Sequence, residues 1–198
     1  MKPSVHLVVF DGFADWEPAF AIAELRRSAG LEVTATGFGR EPVRSMGGLV
    51  VQPERALGEV LPEQVRLLIL PGGDMWEDPA AYPRAELERL LHRLVDAATP
   101  IAAICAGTLA VGRAGLLAHR RHTSNAESYL SDQLPGYASG GRYRHELAVR
   151  DGGLITASGV GPVEFAREIF EALGVFSTGD RATWYRLFKH GEMPAGAR

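Results

Sequence analysis

The sequence has 198 residues, of which 46% are hydrophobic and 23% are charged, with a formal net charge of -3. A chain of this length and composition buries one hydrophobic core, so we expect a single domain over residues 1–198. The charge gives no basic surface for nucleic acid or anionic lipid, and no apolar run approaches the ~20 residues that span a bilayer. We therefore expect neither nucleic-acid nor membrane partners.

Cys105 is the single cysteine of the chain, which excludes an internal disulfide and favours a reducing compartment. The amino terminus runs straight into a short apolar segment and lacks the apolar core and cleavage site of a signal peptide. We therefore expect a cytoplasmic protein. No second cysteine and no histidine pair stands near Cys105 in sequence, so we expect neither a metal nor a cofactor.

The first half of the chain alternates short apolar runs with helical patterns. Runs of four to six apolar residues predict buried strands, and leucines at helical spacing or a proline before an apolar stretch predict helices. The predicted strands are 5–10, 33–36, 67–70 and 101–104, the helices 18–30, 84–97 and the segment after Cys105, with a small hairpin between 43 and 51.

The second half carries fewer strands. We predict a short strand at 122–124, a helix at 126–134, an antiparallel pair formed by 147–150 and 154–157, and helices at 162–173 and 180–189. Strands that alternate with helices imply mostly parallel pairing with helices on both faces of the sheet. The fold class is therefore α/β.

The segment Ala103-Ile104-Cys105-Ala106-Gly107 has the small-x-nucleophile-x-Gly form of a nucleophile elbow. Small residues at 103 and 107 leave room where a strand turns back into a helix. A thiol at that corner would face the positive end of the helix dipole, which favours the thiolate and lowers the pKa of the thiol. The alternative interpretation is a small buried hydrophobic residue, as most free cysteines are.

Another buried strand ends at Pro71-Gly72-Gly73, and its two glycines allow backbone N–H groups to approach a ligand closely. We take the N–H groups of Gly73 and Ala106 as a candidate oxyanion-binding pair. A simple tight turn after a strand is the alternative. Three acids, Asp11, Asp15 and Glu17, follow the first strand at the same sheet edge, and spacing alone does not rank them, since any could cap the first helix.

Five segments taken together resemble the ThiJ/PfpI superfamily, which shares the class I glutamine amidotransferase-like fold. They are residues 10–17, 70–73, 103–107, 115–117 and 155–159. The resemblance covers about residues 5–175 and implies a flavodoxin-like three-layer α/β/α sandwich and a homodimer. It also implies a reactive Cys105 beside a protonated acid, which the family pattern places at Glu17. A neutral acid would donate a hydrogen bond to the thiolate or stabilise a sulfinate.

The sequence departs from the family where a histidine is expected. Peptidase-type relatives carry histidine directly after the nucleophile, where this chain has Ala106, and many others carry it at the position of Asn125. His122 lies three residues earlier, on a predicted strand that would turn it to the opposite face. Amide hydrolysis without a positioned imidazole lacks the group that protonates the leaving amine, which disfavours proteolysis and glutamine hydrolysis.

Three further residues are candidates for the pocket around the cysteine. Gly72 lies in the turn, Trp76 follows it and offers a flat apolar wall, and Asn125 follows the predicted strand at 122–124. The alternatives are packing beneath a loop for Trp76 and a helix cap for Asn125.

Three functions remain open. The first is an enzyme whose Cys105 attacks a small electrophilic metabolite such as an aldehyde while Glu17 carries a proton. The second is a redox or stress sensor based on oxidation of Cys105. The third is a glutaminase, favoured by the fold and disfavoured by the missing histidine.

Overall fold

The computed structural model describes residues 3–193. Its first half contains strands β1 (Ser4–Val9), β2 (Val33–Gly37), β3 (Val43–Arg44), β4 (Val50–Val51), β5 (Arg55–Ala56) and β6 (Val65–Leu70), with helices α1 (Trp16–Arg27) and α2 (Arg84–Asp96). The second half contains β7 (Ile101–Ile104), β8 (Ala148–Asp151) and β9 (Leu154–Ala157), with α3 (Gly107–Arg113), α4 (Glu127–Gln133), α5 (Pro162–Ala172) and α6 (Thr178–His190).

Seven strands form one sheet in the order β5-β2-β1-β6-β7-β9-β8. All neighbours are parallel except β8, which runs antiparallel to β9 as the turn at 151–153 predicts. Helices cover both faces of the sheet. The α/β class and the three-layer flavodoxin-like sandwich are therefore confirmed.

The central strands are buried on both faces, which explains their continuous apolar sequences. Residues 67–70 of β6 and 101–104 of β7 are almost completely inaccessible to solvent. The hydrophobic core around these strands also includes residues of α1, α2 and α5. Because β1, β6, β7 and β9 are mutually parallel, their carboxyl ends meet at one sheet edge.

One local prediction changes. The predicted strand at 122–124 does not form, and His122 makes only an isolated β-bridge with Tyr143. The segment crosses the sheet edge instead of extending it, because Thr123 N–H donates to the Thr156 hydroxyl rather than to a strand backbone. The predicted peripheral hairpin is present as the antiparallel pair β3 and β4. Between residues 3 and 193, no helix has the length and hydrophobicity that crossing a membrane requires.

Candidate active site

Cys105 lies directly after β7, at a corner where the backbone is forced into an uncommon conformation. Its φ is +56°, in the left-handed region, and its N–H donates to the Ala157 carbonyl at 2.9 Å. A Cβ at Gly107 would overlap the Leu70 carbonyl, so glycine is required there for α3 to pass the end of β6. The predicted steric reason for a small residue at 107 therefore holds, and the corner leaves the cysteine half-buried.

Glu17 is the acid that reaches the cysteine. Its side chain is only 1% exposed, its Oε2 accepts a hydrogen bond from Gly72 N–H at 2.6 Å, and its carboxyl is in hydrogen-bonding contact with the Cys105 sulfur. Asp11 instead accepts from the Arg44 N–H at 2.8 Å. Asp15 accepts from the Ser45 hydroxyl in the hairpin. Glu17 is therefore the one of the three candidate acids that faces the sulfur.

Two glycines allow the acid and the thiol to come together. An added Cβ at Gly72 would lie 2.7 Å from Glu17 Oε2 and 2.8 Å from Cys105 Cβ. An added Cβ at Gly159, which follows β9, would lie 2.9 Å from Cys105 Sγ and 3.1 Å from Glu17 Oε1. Neither position has room for a side chain. Gly72 therefore lies directly against Glu17 and Cys105, and its N–H binds Glu17, while its place in a substrate pocket stays a prediction.

Asn125 contacts the sulfur directly. Its Nδ2 donates to Cys105 Sγ at 3.2 Å, and its Oδ1 accepts from Gly159 N–H at 2.9 Å. Because a backbone N–H only donates, the amide oxygen must face Gly159 and the amide nitrogen must face the sulfur. Gly159 had no assigned role in the sequence interpretation. Its position immediately after β9, at the shared sheet edge, was the available signal.

The two predicted backbone donors lie in different surroundings. Ala106 N–H donates to the Cys105 sulfur. Gly73 packs against the Phe10 ring and the Gly12 carbonyl, where an added Cβ would lie 2.6 Å and 2.9 Å from them. Ala106 is therefore placed to stabilise negative charge at the site, while a donor role for Gly73 stays a prediction.

Trp76 does not wall the pocket. Its side chain is 0% exposed, its Nε1–H donates to the Pro71 carbonyl at 2.7 Å, and its ring packs edge-on against Phe10, Phe38 and Tyr82. A ligand in the cleft cannot touch a fully buried ring. Trp76 instead supports the Pro71-Gly72 turn from within the core, which is the alternative considered from the sequence.

No histidine of residues 3–193 hydrogen-bonds to the Cys105 sulfur. His122 is fully buried and bonds to the Arg120 carbonyl through Nδ1 and to the Tyr137 hydroxyl through Nε2, both at 2.7 Å. Burial lowers the pKa of His122 and outweighs the hydrogen bond to the Arg120 carbonyl, which acts in the opposite direction, so the ring stays neutral near pH 7. It is a core residue with both ring nitrogens satisfied.

Comparison with known proteins agrees with this geometry. The sequence profile of the DJ-1/PfpI family matches residues 3–172. The chain belongs to the DJ-1/PfpI family. A Bacillus subtilis member named "Uncharacterized protease YoaZ" is 37% identical over 195 residues, covering 93% of this chain and 90% of that protein.

Two other family members extend the comparison. The crystal structure of a thiJ/pfpI family protein from Bacillus anthracis superposes with a TM-score of 0.89 at 34% identity, covering 97% of this chain and 92% of that one. A Caenorhabditis elegans member named "Glutathione-independent glyoxalase DJR-1.2" is 30% identical over 145 residues, covering 73% of this chain and 74% of that protein. The names protease and glyoxalase denote enzymes, so enzymatic activity occurs among members of the family.

The electrostatics of this DJ-1/PfpI site differ from the sequence expectation. Burial, and then the negative charge of Glu17, raise the pKa of the Cys105 thiol to about 11, although Asn125 and Ala106 donate to the sulfur. When Glu17 is ionised, the pKa of the Cys105 thiol is therefore raised, and the prediction that it is lowered is wrong for that state. The physical reason is that desolvation and a like charge outweigh two hydrogen bonds and a helix of seven residues. Burial also raises the pKa of Glu17.

Proposed function

We propose that this DJ-1/PfpI protein is an enzyme whose Cys105 thiolate attacks a small carbonyl compound. The carrying observation is that the half-exposed sulfur is in contact with the buried Glu17 carboxyl while Asn125 Nδ2 donates to it at 3.2 Å. A nucleophile, a proton carrier and a polar group are thus brought together at the sheet edge where open α/β proteins bind ligands. The missing histidine disfavours glutamine hydrolysis.

One negative charge, shared by Glu17 and Cys105, makes this chemistry feasible. The pKa of about 11 describes a thiol next to a carboxylate, and the repulsion is absent when Glu17 holds the proton. In that form the sulfur accepts from Asn125, Ala106 and the Glu17 carboxyl, whereas a carboxylate at Glu17 would accept from Gly72 N–H and the thiol. We therefore place the charge on the larger, better-solvated sulfur.

The first step then balances without another reactant. A lone pair of the Cys105 thiolate forms the S–C bond, the π pair of the carbonyl moves to its oxygen, and that oxygen takes the Glu17 proton. The product is a hemithioacetal beside a Glu17 carboxylate, which takes the proton back when the adduct collapses.

Two measurements test the proposal. Cys105→Ala is expected to abolish turnover of reactive aldehydes and dicarbonyls, and unchanged turnover would refute it. Alkylation of Cys105 by iodoacetamide as a function of pH locates the charge, and we expect a midpoint well below 11 in both the wild type and Glu17→Gln, because the repulsion by a carboxylate is absent in both. A wild-type midpoint near 11 that falls in Glu17→Gln would place the charge on the carboxylate instead.

Oxidation sensing is a second candidate, favoured by the donors around the sulfur. One peroxide molecule would oxidise the Cys105 thiolate to sulfenate and a second would oxidise the sulfenate to sulfinate, each releasing water. The sulfinate oxygens would be stabilised by Asn125 Nδ2 and a protonated Glu17. Intact-mass measurement after mild peroxide treatment tests this function, because a sensor must gain oxygen on Cys105 before any other residue.

We also propose that the protein acts as a cytoplasmic homodimer through an apolar surface at the tip of the hairpin. Trp16, Met46, Leu49 and Val50 are exposed, and the hydrogen bond from Ser45 to Asp15 holds the hairpin against the start of α1. Leu49→Asp is expected to yield monomers in sedimentation velocity. Leu61→Asp, at an exposed leucine before β6, is the control and is expected to leave the dimer intact.

A further inference from the structure

A surface trough of about 470 Å³ adjoins the Cys105 site beyond Asn125. It lies between the start of α4, the segment before β8 and the turn after β9. We call it the acidic trough and define it by five of its lining residues, Asn125, Glu127, Ser128, Glu146 and Ser158. Asn125 belongs to both places, since its amide nitrogen contacts Cys105 Sγ at 3.2 Å. Asn125 therefore borders both the sulfur and the trough.

Ser158 faces the trough with a hydroxyl that the fold does not use. The residue is 8% exposed, and within residues 3–193 its hydroxyl has no hydrogen-bond partner. By contrast, the neighbouring buried Ser124 hydroxyl is paired with Thr108 at 2.7 Å. The hydroxyl is not among the buried side-chain atoms that lack a partner, so it is open to the trough and available to a ligand. Ser158 also precedes Gly159, which packs against the sulfur.

The trough has a negative electrostatic character. Glu127 and Glu146 line it, and its lining residues include no arginine or lysine, with His145 as the only other titratable side chain besides Tyr143. The nearest arginine along the chain, Arg144, donates to the carbonyls of Gly141 and Tyr143.

On the other side of the cysteine, Arg113 donates to the Trp76 and Glu77 carbonyls, and the Glu77 carboxylate accepts from the Tyr129 hydroxyl at 3.1 Å. These two charges oppose each other. Glu127 and Glu146 are therefore the carboxylates that a ligand in the trough would contact directly.

We propose that the acidic trough binds a positively charged arm of the substrate, with Ser158 accepting a hydrogen bond from it, while Cys105 attacks the carbonyl at the other end. The inference rests on the proposed function and narrows it from small carbonyl compounds to those that carry an ammonium or guanidinium group. Carbonyl compounds with a carboxylate at the same place would be repelled by Glu127 and Glu146.

The test uses thiol reagents of matched size and opposite charge, and it needs no turnover. Cys105 is the single cysteine, so methanethiosulfonates with a 2-(trimethylammonio)ethyl or a 2-sulfonatoethyl arm report only this site. Their rate constants are divided by those for 2-mercaptoethanol under the same conditions at low ionic strength. We expect the cationic reagent to be favoured, and Glu127→Gln/Glu146→Gln to reduce the ratio by at least about fivefold.

The control variant makes the same change in net charge elsewhere. Glu63→Gln/Glu88→Gln alters two acids outside the trough, before β6 and on α2, and is expected to leave the ratio unchanged. An equal effect of both double variants, or none of either, overturns the inference. If the trough double variant does not fold by circular dichroism, the single variants Glu127→Gln and Glu146→Gln are each expected to lower the ratio about twofold.

Ser158→Ala separates the contribution of the Ser158 hydroxyl to reagent binding from that of the Glu127 and Glu146 charges. The 2-aminoethyl reagent carries N–H donors that the trimethylammonio reagent lacks, and Ser158→Ala is expected to reduce the rate of the former relative to the latter. An unchanged relative rate removes Ser158 from the subsite. Failure of the proposed function looks different, because the charge preference would then persist while no carbonyl compound is turned over.

Discussion

Buried glutamates occur in two regions of this molecule, and their pKa values are shifted in opposite directions. In the helical layer, Glu24 and Glu164 are each about 6% exposed. Burial acts to raise the pKa of Glu24, but hydrogen bonds from Ser28 and Arg27 outweigh it, and the pKa is lowered. Burial acts in the same direction on Glu164, where Lys189 at 2.8 Å outweighs it.

Glu17, at the sheet edge, has no such compensation. Within residues 3–193 no arginine, lysine or histidine pairs with it, and burial raises its pKa despite the hydrogen bonds with Gly72 N–H and Cys105. Structural acids are buried with a cation, whereas this acid is buried with a thiol. A buried acid whose pKa is raised beside a nucleophile is a mark of a functional site.

The largest effect is expected from moving Glu17 without changing its chemistry. Gly72→Ala places a Cβ within 2.9 Å of both Glu17 carboxylate oxygens and Cys105 Cβ, so the acid must shift. A displacement of about 1 Å at the reacting groups costs about 100-fold in rate. Gly39→Ala is the matched control, because nothing lies within 4 Å of its added Cβ. Turnover of a reactive carbonyl by Gly72→Ala at the wild-type rate would contradict the assigned role of Glu17.

A smaller effect is expected from removing the compensation in the helical layer. Lys189→Met leaves Glu164 buried with the Tyr185 hydroxyl but without its cation, and we expect a loss of about 1–2 kcal/mol in the free energy of unfolding, because Lys189 is partly exposed. Arg26→Met breaks an exposed pair with Glu32 and is expected to cost less than about 0.5 kcal/mol. Urea denaturation at pH 7 compares them, and equal losses would show that burial does not distinguish these pairs.

The smallest expected effect is a pH dependence of stability that arises from Glu17, the buried acid without a cation. In a Cys105→Ala background, Glu17 is the remaining member of the pair. Because its pKa is raised in the folded state, the folded protein holds the proton more tightly than the unfolded chain, so stability falls as pH rises above ~4.3. Cys105→Ala/Glu17→Gln lacks this loss, so its stability relative to Cys105→Ala is expected to increase as pH rises above ~4.3 and to level off above the folded-state pKa of Glu17. Parallel stability curves would show that Glu17 has no raised pKa.

The sequence predicted most of the fold because burial on both faces produces an unmistakable pattern. The apolar runs of β6 and β7 lie in the centre of the sheet as expected. The segments that the sequence analysis predicted wrongly or missed are short or polar. The two-residue strand β5 at Arg55–Ala56 has no periodicity to detect, and the polar segment at 122–124, predicted as a strand, forms only an isolated β-bridge at His122. Such segments are fixed by tertiary contacts rather than by their own pattern.

The site was predictable in its cysteine and less so in its surroundings. Spacing could not choose between Asp15 and Glu17, because the hairpin that binds Asp15 comes from a distant part of the chain. The orientation of Asn125 depends on Gly159, 34 residues later. Trp76 was misplaced because a residue next to a ligand-binding turn can point into the cleft or into the core, and only packing decides.

The left-handed backbone of Cys105 sets stability against reactivity at one position. A side chain held in that conformation costs about 1–2 kcal/mol that glycine would not incur. Cys105→Gly would remove this cost together with the thiol, so we expect a more stable protein that lacks the nucleophile on which the proposed function depends.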